Sequence, residues 1–358
     1  MRVTLDATPL LGPRTGIARY VQGLLDGLTR LPEPPEIVLT AFTGRGWRQL
    51  VAPPGCSVAG RPVPARVLRT LWAHTELPPV EWLAGTTDVF HATNFVLPPT
   101  RQAVGVLTVH DLSFLRNPDT VTRDVLAYQR LVARGVRRAA AVVTDAEAVA
   151  DEVAAEYGIP RASIRATHLG IDADWSATRA PSSEEKAALG LPAEYIVAVG
   201  TVEPRKNLPL LVSAHRLLPG APPLVLVGGA RWAGEVAATA RHLTGHVPDE
   251  DLRRIVAGAR VLAYPSRREG FGFPPLEALA CGVPVVVSDL PVLREVLGEH
   301  ARFVPVGDVE ALAAALAAAL DDGRTNASTA AGRTHAASFT WQRFAREILD
   351  VYRAVVGG

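Results

Sequence analysis

Short β-branched runs alternate with longer helical patterns from one end of the 358-residue chain to the other. That alternation is the signature of a mostly parallel sheet wrapped by helices, because a parallel strand needs a crossover before its neighbour can form. In the first half the pattern predicts strands over residues 2–6, 36–42, 89–92, 104–110, 141–144 and 164–169. A second series repeats it over 195–200, 224–228, a run ending at Val247, 261–266, 283–288 and 302–306. Between the two series, residues 172–183 are polar and interrupted by proline, which marks an interdomain linker. The pattern therefore predicts an α/β chain with one domain over 1–176, a second over 177–339 and a terminal helix over 340–358. In that last segment Trp341, Phe344, Ile348, Leu349 and Tyr352 recur at helical spacing behind Thr340 as cap.

Composition narrows the class. With 48% apolar residues and a net charge of +1, the chain reads as globular, and its near-neutral balance argues against a surface built wholly for nucleic acid or anionic membrane. Cys56 and Cys281 are the only cysteines and lack metal-ligand spacing, so neither a disulfide framework nor a zinc site is indicated and a reducing compartment is expected. The N-terminal residues show no export signal, which points to the cytoplasm. The alanine-rich run 311–320 is too short for a bilayer span and is flanked by Glu310 and Asp321. Lysine occurs only at 186 and 206, against an arginine-rich background, and this singles out Lys206.

Candidate chemistry concentrates where strands give way to helices, the edge at which open α/β sheets bind ligands. Residues 266–277 read Ser-Arg-Arg-Glu-Gly-Phe-Gly-Phe-Pro-Pro-Leu-Glu, so Glu269 and Glu277 bracket a glycine-rich turn. Free amides at Gly270, Gly272 and the first helical turn suit a diphosphate. Carboxylates there would repel phosphate, so a site using both aims the glutamates at hydroxyls, and the combination describes a nucleotide sugar. The bland alternative is a solvated helix N-terminus with acids nearby. Arg205 and Lys206 follow another strand end in Gly200-Thr-Val-Glu-Pro-Arg-Lys-Asn207, where they either reach an anion or pair with Glu203. Residues 12–20, with Gly16, Arg14 and Arg19, form a glycine-containing turn into a helix, as an ordinary β-to-α connection also would. His110 ends a strand and is either a ligand contact or a hydrogen-bonded structural residue; His91 and Asn94 sit at the preceding strand end. Asp172-Ala-Asp174 has the form of a metal-binding triplet but lies in the linker and reads as structural.

The string from Glu269 through Asp289 closely resembles the signature of family 4 retaining glycosyltransferases, which have the GT-B fold of two Rossmann-like domains facing across a crevice. The resemblance implies that Arg205 and Lys206 hold the diphosphate and offset the charge that grows on it. It implies that Glu269 anchors the sugar, Glu277 the ribose, and Gly270, Phe271, Gly272 and Phe273 the rest of the donor. Gly16 would approach phosphate, His110 would line the donor-sugar site, and Val247, in the turn 245–251, would meet the base through its backbone. Arg14, Arg19 and Asn94 become acceptor contacts, and the terminal helix is expected to cross back onto the first domain. The implied activity is metal-independent and cofactor-free transfer of a hexose, mannose-like, from a nucleoside-diphosphate sugar to a hydroxyl of a glycan, lipid-linked sugar or small natural product. No nucleic-acid partner is expected. Arginines 123, 130, 134, 137 and 138 form either a solvated helix face or a peripheral contact with anionic lipid, since some members of the family are peripheral enzymes. Two departures stand out: Thr201 where many members carry arginine, and His168 where the family has asparagine. The rivals are an epimerase or phosphorylase of the same fold and a non-catalytic sugar-nucleotide binder.

Overall fold

The protein is described by a computed structural model covering residues 1–12, 15–44, 46–116, 123–201, 203–228, 242–243, 247–323 and 326–357. The chain divides into one unit comprising Met1–Gly170 with Trp341–Gly358 and a second comprising Ile171–Thr340. The first unit thus ends before Ser176. Ile171 and Trp175 belong to the second unit, where the Ile171 amide donates to Phe339 O and buried Trp175 offers its carbonyl to Cys281 Sγ at 3.2 Å.

The first unit is built on seven strands, β1 (Arg2–Asp6), β2 (Glu36–Thr40), β3 (Cys56–Val58), β4 (Val89–Ala92), β5 (Val104–Thr108), β6 (Ala141–Thr144) and β7 (Ile164–Ala166), in the order β3-β2-β1-β4-β5-β6-β7. Every pairing is parallel. The inner strands are buried along nearly their whole length, which is why they read as continuous apolar runs rather than alternating ones. Strand β3 was not expected. It is a three-residue edge strand inside a proline-rich connection, too short to leave a period in the sequence.

The helix Gly16–Thr29 follows β1, and the terminal helix Trp341–Gly357 packs against it with Phe344, Ile348, Leu349 and Tyr352 turned inward. Two glycines on one face of the first helix make that approach: a Cβ on Gly27 would lie 2.5 Å from the Trp341 carbonyl oxygen and 2.6 Å from the Ala345 methyl. The contact is sealed by a buried polar chain in which Tyr352 OH meets His91 Nδ1 at 2.6 Å, His91 Nε2 meets Thr108 Oγ1 at 2.7 Å, and Thr108 Oγ1 meets Tyr20 OH at 2.8 Å.

The second unit repeats the plan with β8 (Ile196–Val199), β9 (Leu224–Val227), β10 (His242–Leu243), β11 (Val261–Tyr264), β12 (Val285–Ser288) and β13 (Arg302–Val304), ordered β10-β9-β8-β11-β12-β13. Its core joins Ile196, Leu224, Val261 and Val286 of the sheet to Leu211, Leu312 and Leu316 of covering helices. Strands β8 and β9 stop one residue short of the expected glycines because Gly200 and Gly228 leave the sheet with φ of 145° and 144°. A Cβ on Gly228 would stand 2.0 Å from the Gly200 carbonyl oxygen, so these two strand ends close to a separation only glycine permits.

Gly27→Ala should gain up to about 1 kcal/mol of helix propensity, yet it should lose more by displacing the terminal helix. A net loss of about 1–2 kcal/mol in chemical denaturation is expected, and a stabilised protein would contradict this packing.

Candidate functional site

A doubly wound sheet opens a crevice where successive crossovers leave in opposite directions, at the C-terminal ends of the two central strands. In the second unit those strands are β8 and β11. The segment after β8 forms a short turn, Pro204–Lys206, that hands over to the helix Leu208–Arg216 through Asn207 in the left-handed conformation at φ 53°. The segment after β11 runs beside it, and the Arg267 amide donates to the Arg205 carbonyl at 2.8 Å. Arg205, Lys206 and Glu269 thereby converge.

Glu269 accepts from Lys206 Nζ at 2.6 Å through one oxygen and from Arg205 Nη1 at 3.2 Å through the other. Arg205 also donates from Nε to Glu203 at 2.9 Å, the pairing that sequence alone left open. Lys206 is 8% exposed and the Glu269 side chain 6%, so this ion cluster is largely out of water. Burial by itself would raise the Glu269 carboxyl, but Lys206 and then Arg205 outweigh it and hold it down at about 2. Burial lowers the Lys206 ammonium, and with Arg205 nearby the attraction of Glu269 does not make up the difference. One anion shared by two cations produces both directions, and with Glu203 on Arg205 the cluster sets two carboxylates against two cations.

Downstream, Gly272 takes φ 95° as the residue before the helix Phe273–Ala280, and Pro274 and Pro275 occupy its first turn, where no amide hydrogen is required. Phe271 is buried and stacks edge-on with Phe273 at 5.3 Å, fixing the turn. Glu277 sits one turn into the helix and is 1% exposed. Val247 is half-buried just before the helix Asp249–Gly258; Gly245 and His246 lie outside the described residues. Asp174 pairs with Arg253 at 3.5 Å.

In the first unit the central strands are β1 and β4. Gly16 is exposed and helical, capped by Thr15, whose hydroxyl accepts from the Ala18 amide; Arg19 is half-buried on the same helix, and Arg14 lies outside the described residues. Asn94 follows β4 next to Phe95, which is held at φ 59°, and the Asn94 Oδ1 is buried with no hydrogen-bond partner among the described residues. His110 departs from the direct role expected of it. It is buried, with Nδ1 2.8 Å from Asp145 Oδ2 and Nε2 donating to the Thr93 carbonyl at 2.9 Å, so both ring nitrogens are committed inside the unit. Burial works against its charge, but Asp145 outweighs that and raises its pKa, and an acceptor at each nitrogen fixes the ring in place. Its partner Asp145 left no signal in the sequence beyond its place at the end of the next strand. Of the surface arginines, Arg134 and Arg138 clasp Glu76 while Arg130 and Arg137 are exposed; the Arg123 side chain lies outside the described residues. No helix among the described residues is long and apolar enough to cross a membrane.

Comparison with known proteins agrees with this geometry. Residues 193–322 match the family described as Glycosyl transferases group 1, and residues 15–170 match the Glycosyl transferase 4-like domain. O-antigen chain mannosyltransferase B of Escherichia coli is 33% identical over 285 residues, which are 74% of each chain. Sucrose-phosphate synthase of Thermosynechococcus elongatus superposes with a TM-score of 0.75 at 20% identity, over 100% of this chain and 99% of that one. Anabaena HepE, solved in complex with UDP-glucose, gives 0.71 at 17% identity over 99% of both chains.

The His110–Asp145 pair has a measurable consequence. His110→Ala leaves an uncompensated carboxylate in the interior and should cost about 3–5 kcal/mol in urea denaturation. Adding Asp145→Asn should restore at least half of that; a double mutant no better than the single one would show that the ion pair is not what the fold relies on.

Proposed function

The chain belongs to the family 4 glycosyltransferases and has the GT-B fold, and from that premise we propose that it is a retaining, metal-independent hexosyltransferase. The donor in this reading is a nucleoside-diphosphate sugar, with mannose favoured by the mannosyltransferase relative. The acceptor is a hydroxyl on a glycan or lipid-linked sugar. The free thiols of Cys56 and Cys281 suit a cytoplasmic setting.

The observation that carries the reading is the ion cluster of Arg205, Lys206 and Glu269 at the switch point of the second unit. Glycosyl transfer passes through a state with positive charge on the sugar ring and negative charge growing on the departing diphosphate. The two cations are already in place and partly desolvated, so little reorganisation is needed as the phosphate charge builds. Arg205 presents a planar fork and Lys206 a point charge to that phosphate, while the amides of the turn Gly270–Gly272 add donors. Glu269 is assigned to the sugar hydroxyls, and Glu277 orients the ribose. No dedicated base is required if the departing phosphate takes the acceptor proton on the face it leaves. Gly16, Arg14, Arg19 and Asn94 are assigned to the substrate contacts of the first unit, and Val247 to the base. His110 orders the end of β5 rather than exchanging protons.

The test is transfer from a panel of nucleoside-diphosphate sugars to glycan acceptors, with the anomeric configuration of the product read by NMR. Retention of configuration and full activity in chelator are expected; inversion or loss with chelator refutes the corresponding part of the proposal. Lys206→Met and Glu269→Gln should each lower kcat/KM at least about 100-fold. A full rate in either variant refutes the assignment of this cluster.

The cluster also sets a pH dependence. Glu269, held at about 2, stays ionised through any practical assay and contributes no acidic limb. Lys206 has its pKa lowered from 10.5, so its proton is lost sooner as pH rises, and kcat/KM should fall on the alkaline side below that value. A profile flat up to the ordinary lysine range would count against a charged Lys206 as the working form.

A further inference from the structure

Lys206 is gripped on three sides, and only one of them is the carboxylate of Glu269. Its methylene stem runs over Gly200, where a Cβ would stand 3.3 Å from Cε and 3.6 Å from Cδ. Its ammonium donates to Glu269 Oε1 at 2.6 Å and also to Tyr264 OH at 2.5 Å. With that hydrogen bond the ammonium lies 4.4 Å from the centroid of the Tyr264 ring, out beyond the hydroxyl oxygen.

Tyr264 is the last residue of β11, 3% exposed, and thus stands on the opposite side of the switch point from the segment that carries Lys206. A tyrosine serving only as core filler would bury the same ring area with its hydroxyl satisfied by any carbonyl nearby. Here the hydroxyl oxygen is spent on an ammonium. Lysine has a long flexible stem and a compact charge, and pairing it with one carboxylate leaves the head free to swing about that oxygen. A second acceptor from another strand removes that freedom. Burial, and next the charge of Glu269, push the phenol well above its ordinary range, so it remains a neutral hydroxyl throughout.

We propose that Tyr264 is a positioning residue for glycosyl transfer, its hydroxyl holding the Lys206 ammonium in the orientation that meets the leaving diphosphate. The proposal rests on the reading of Lys206 as a phosphate ligand. It assigns specificity of placement, not of charge, to the phenol, because Lys206 already faces Glu269, Arg205 and Glu203 as its charged neighbours.

Tyr264→Phe keeps the ring and removes the acceptor of Lys206 together with the hydroxyl's own hydrogen bond to Glu269. It should lower kcat about tenfold, as expected for one hydrogen bond to a charged group, with the donor KM within about twofold of wild type. Because the charged form of Lys206 loses an acceptor, the alkaline limb of kcat/KM should move to lower pH. Wild-type kcat and an unmoved alkaline limb in Tyr264→Phe, beside an inactive Lys206→Met, overturn the proposal. A loss of rate that only tracks the loss of folded protein in urea, with the limb unmoved, also overturns it by making Tyr264 structural. Full activity in Lys206→Met would instead remove the premise on which the proposal stands.

Discussion

Glu269 is one carboxylate shared between two cations that arrive from a different loop, and the arrangement of the second unit's sheet edge at the switch point depends on it. Bringing Lys206 almost wholly out of water costs several kcal/mol unless a counter-charge is waiting, and Glu269 supplies it from the far side of the switch point. The two strand ends are thus joined by charge where no ladder hydrogen bonds remain, reinforced by the Arg267 amide bond to the Arg205 carbonyl. With Glu203 on Arg205 and Glu269 between the two cations, the cluster gathers its charges at the edge where the sheet's crossovers part.

The same constraint explains backbone features that have no other purpose. The Lys206 stem needs a lane, and Gly200 provides it by having no side chain where Cε and Cδ pass. Gly200 in turn approaches the neighbouring strand end so closely that Gly228 must also lack a Cβ. A carboxylate, a lysine, an arginine and two glycines on three loops therefore form one unit of design, and relaxing any one member loosens the rest. Buried ion clusters are seldom the most stable solution to packing, so their value here lies in fixing where positive charge sits before any ligand arrives.

How much of this was legible in the sequence follows from which features have a local cause. The central strands were readable because parallel strands covered on both faces are apolar at every position, as in β4, β6, β9 and β12. Their ends were read too long because chain direction changes at Gly200 and Gly228 while the residues beyond remain apolar or small. Strand β3 was missed because an edge strand of three residues is defined by its partner and not by its own composition. Arg205, Lys206 and Glu269 were identifiable as ionisable side chains at strand ends. The ion pairs among them were not, since 63 residues separate Lys206 from Glu269 and only the strand order brings them together. Tyr264 and Asp145 left no sequence signal for the same reason: each looks like an ordinary residue at the end of a strand until the neighbouring loop is in place.

In the first unit the same argument runs through histidine. His91 and His110 end adjacent strands, and the Tyr20 ring stacks edge-on against both, at 6.4 and 4.8 Å. Their surroundings drive them to opposite states. Burial, and then the charge on His110, lower His91 to about 3, so it is a neutral link between Tyr352 and Thr108. Asp145 instead raises the pKa of His110, buried as it is. Two histidines of identical intrinsic chemistry thus become a neutral hydrogen-bond relay that anchors the terminal helix and a carboxylate-bound ring that orders the loops after β4 and β5. The second role is enough to account for a histidine at this strand end, because a donor on each ring nitrogen is what joins the Thr93 carbonyl to the Asp145 carboxylate, and no neutral side chain of that size supplies both.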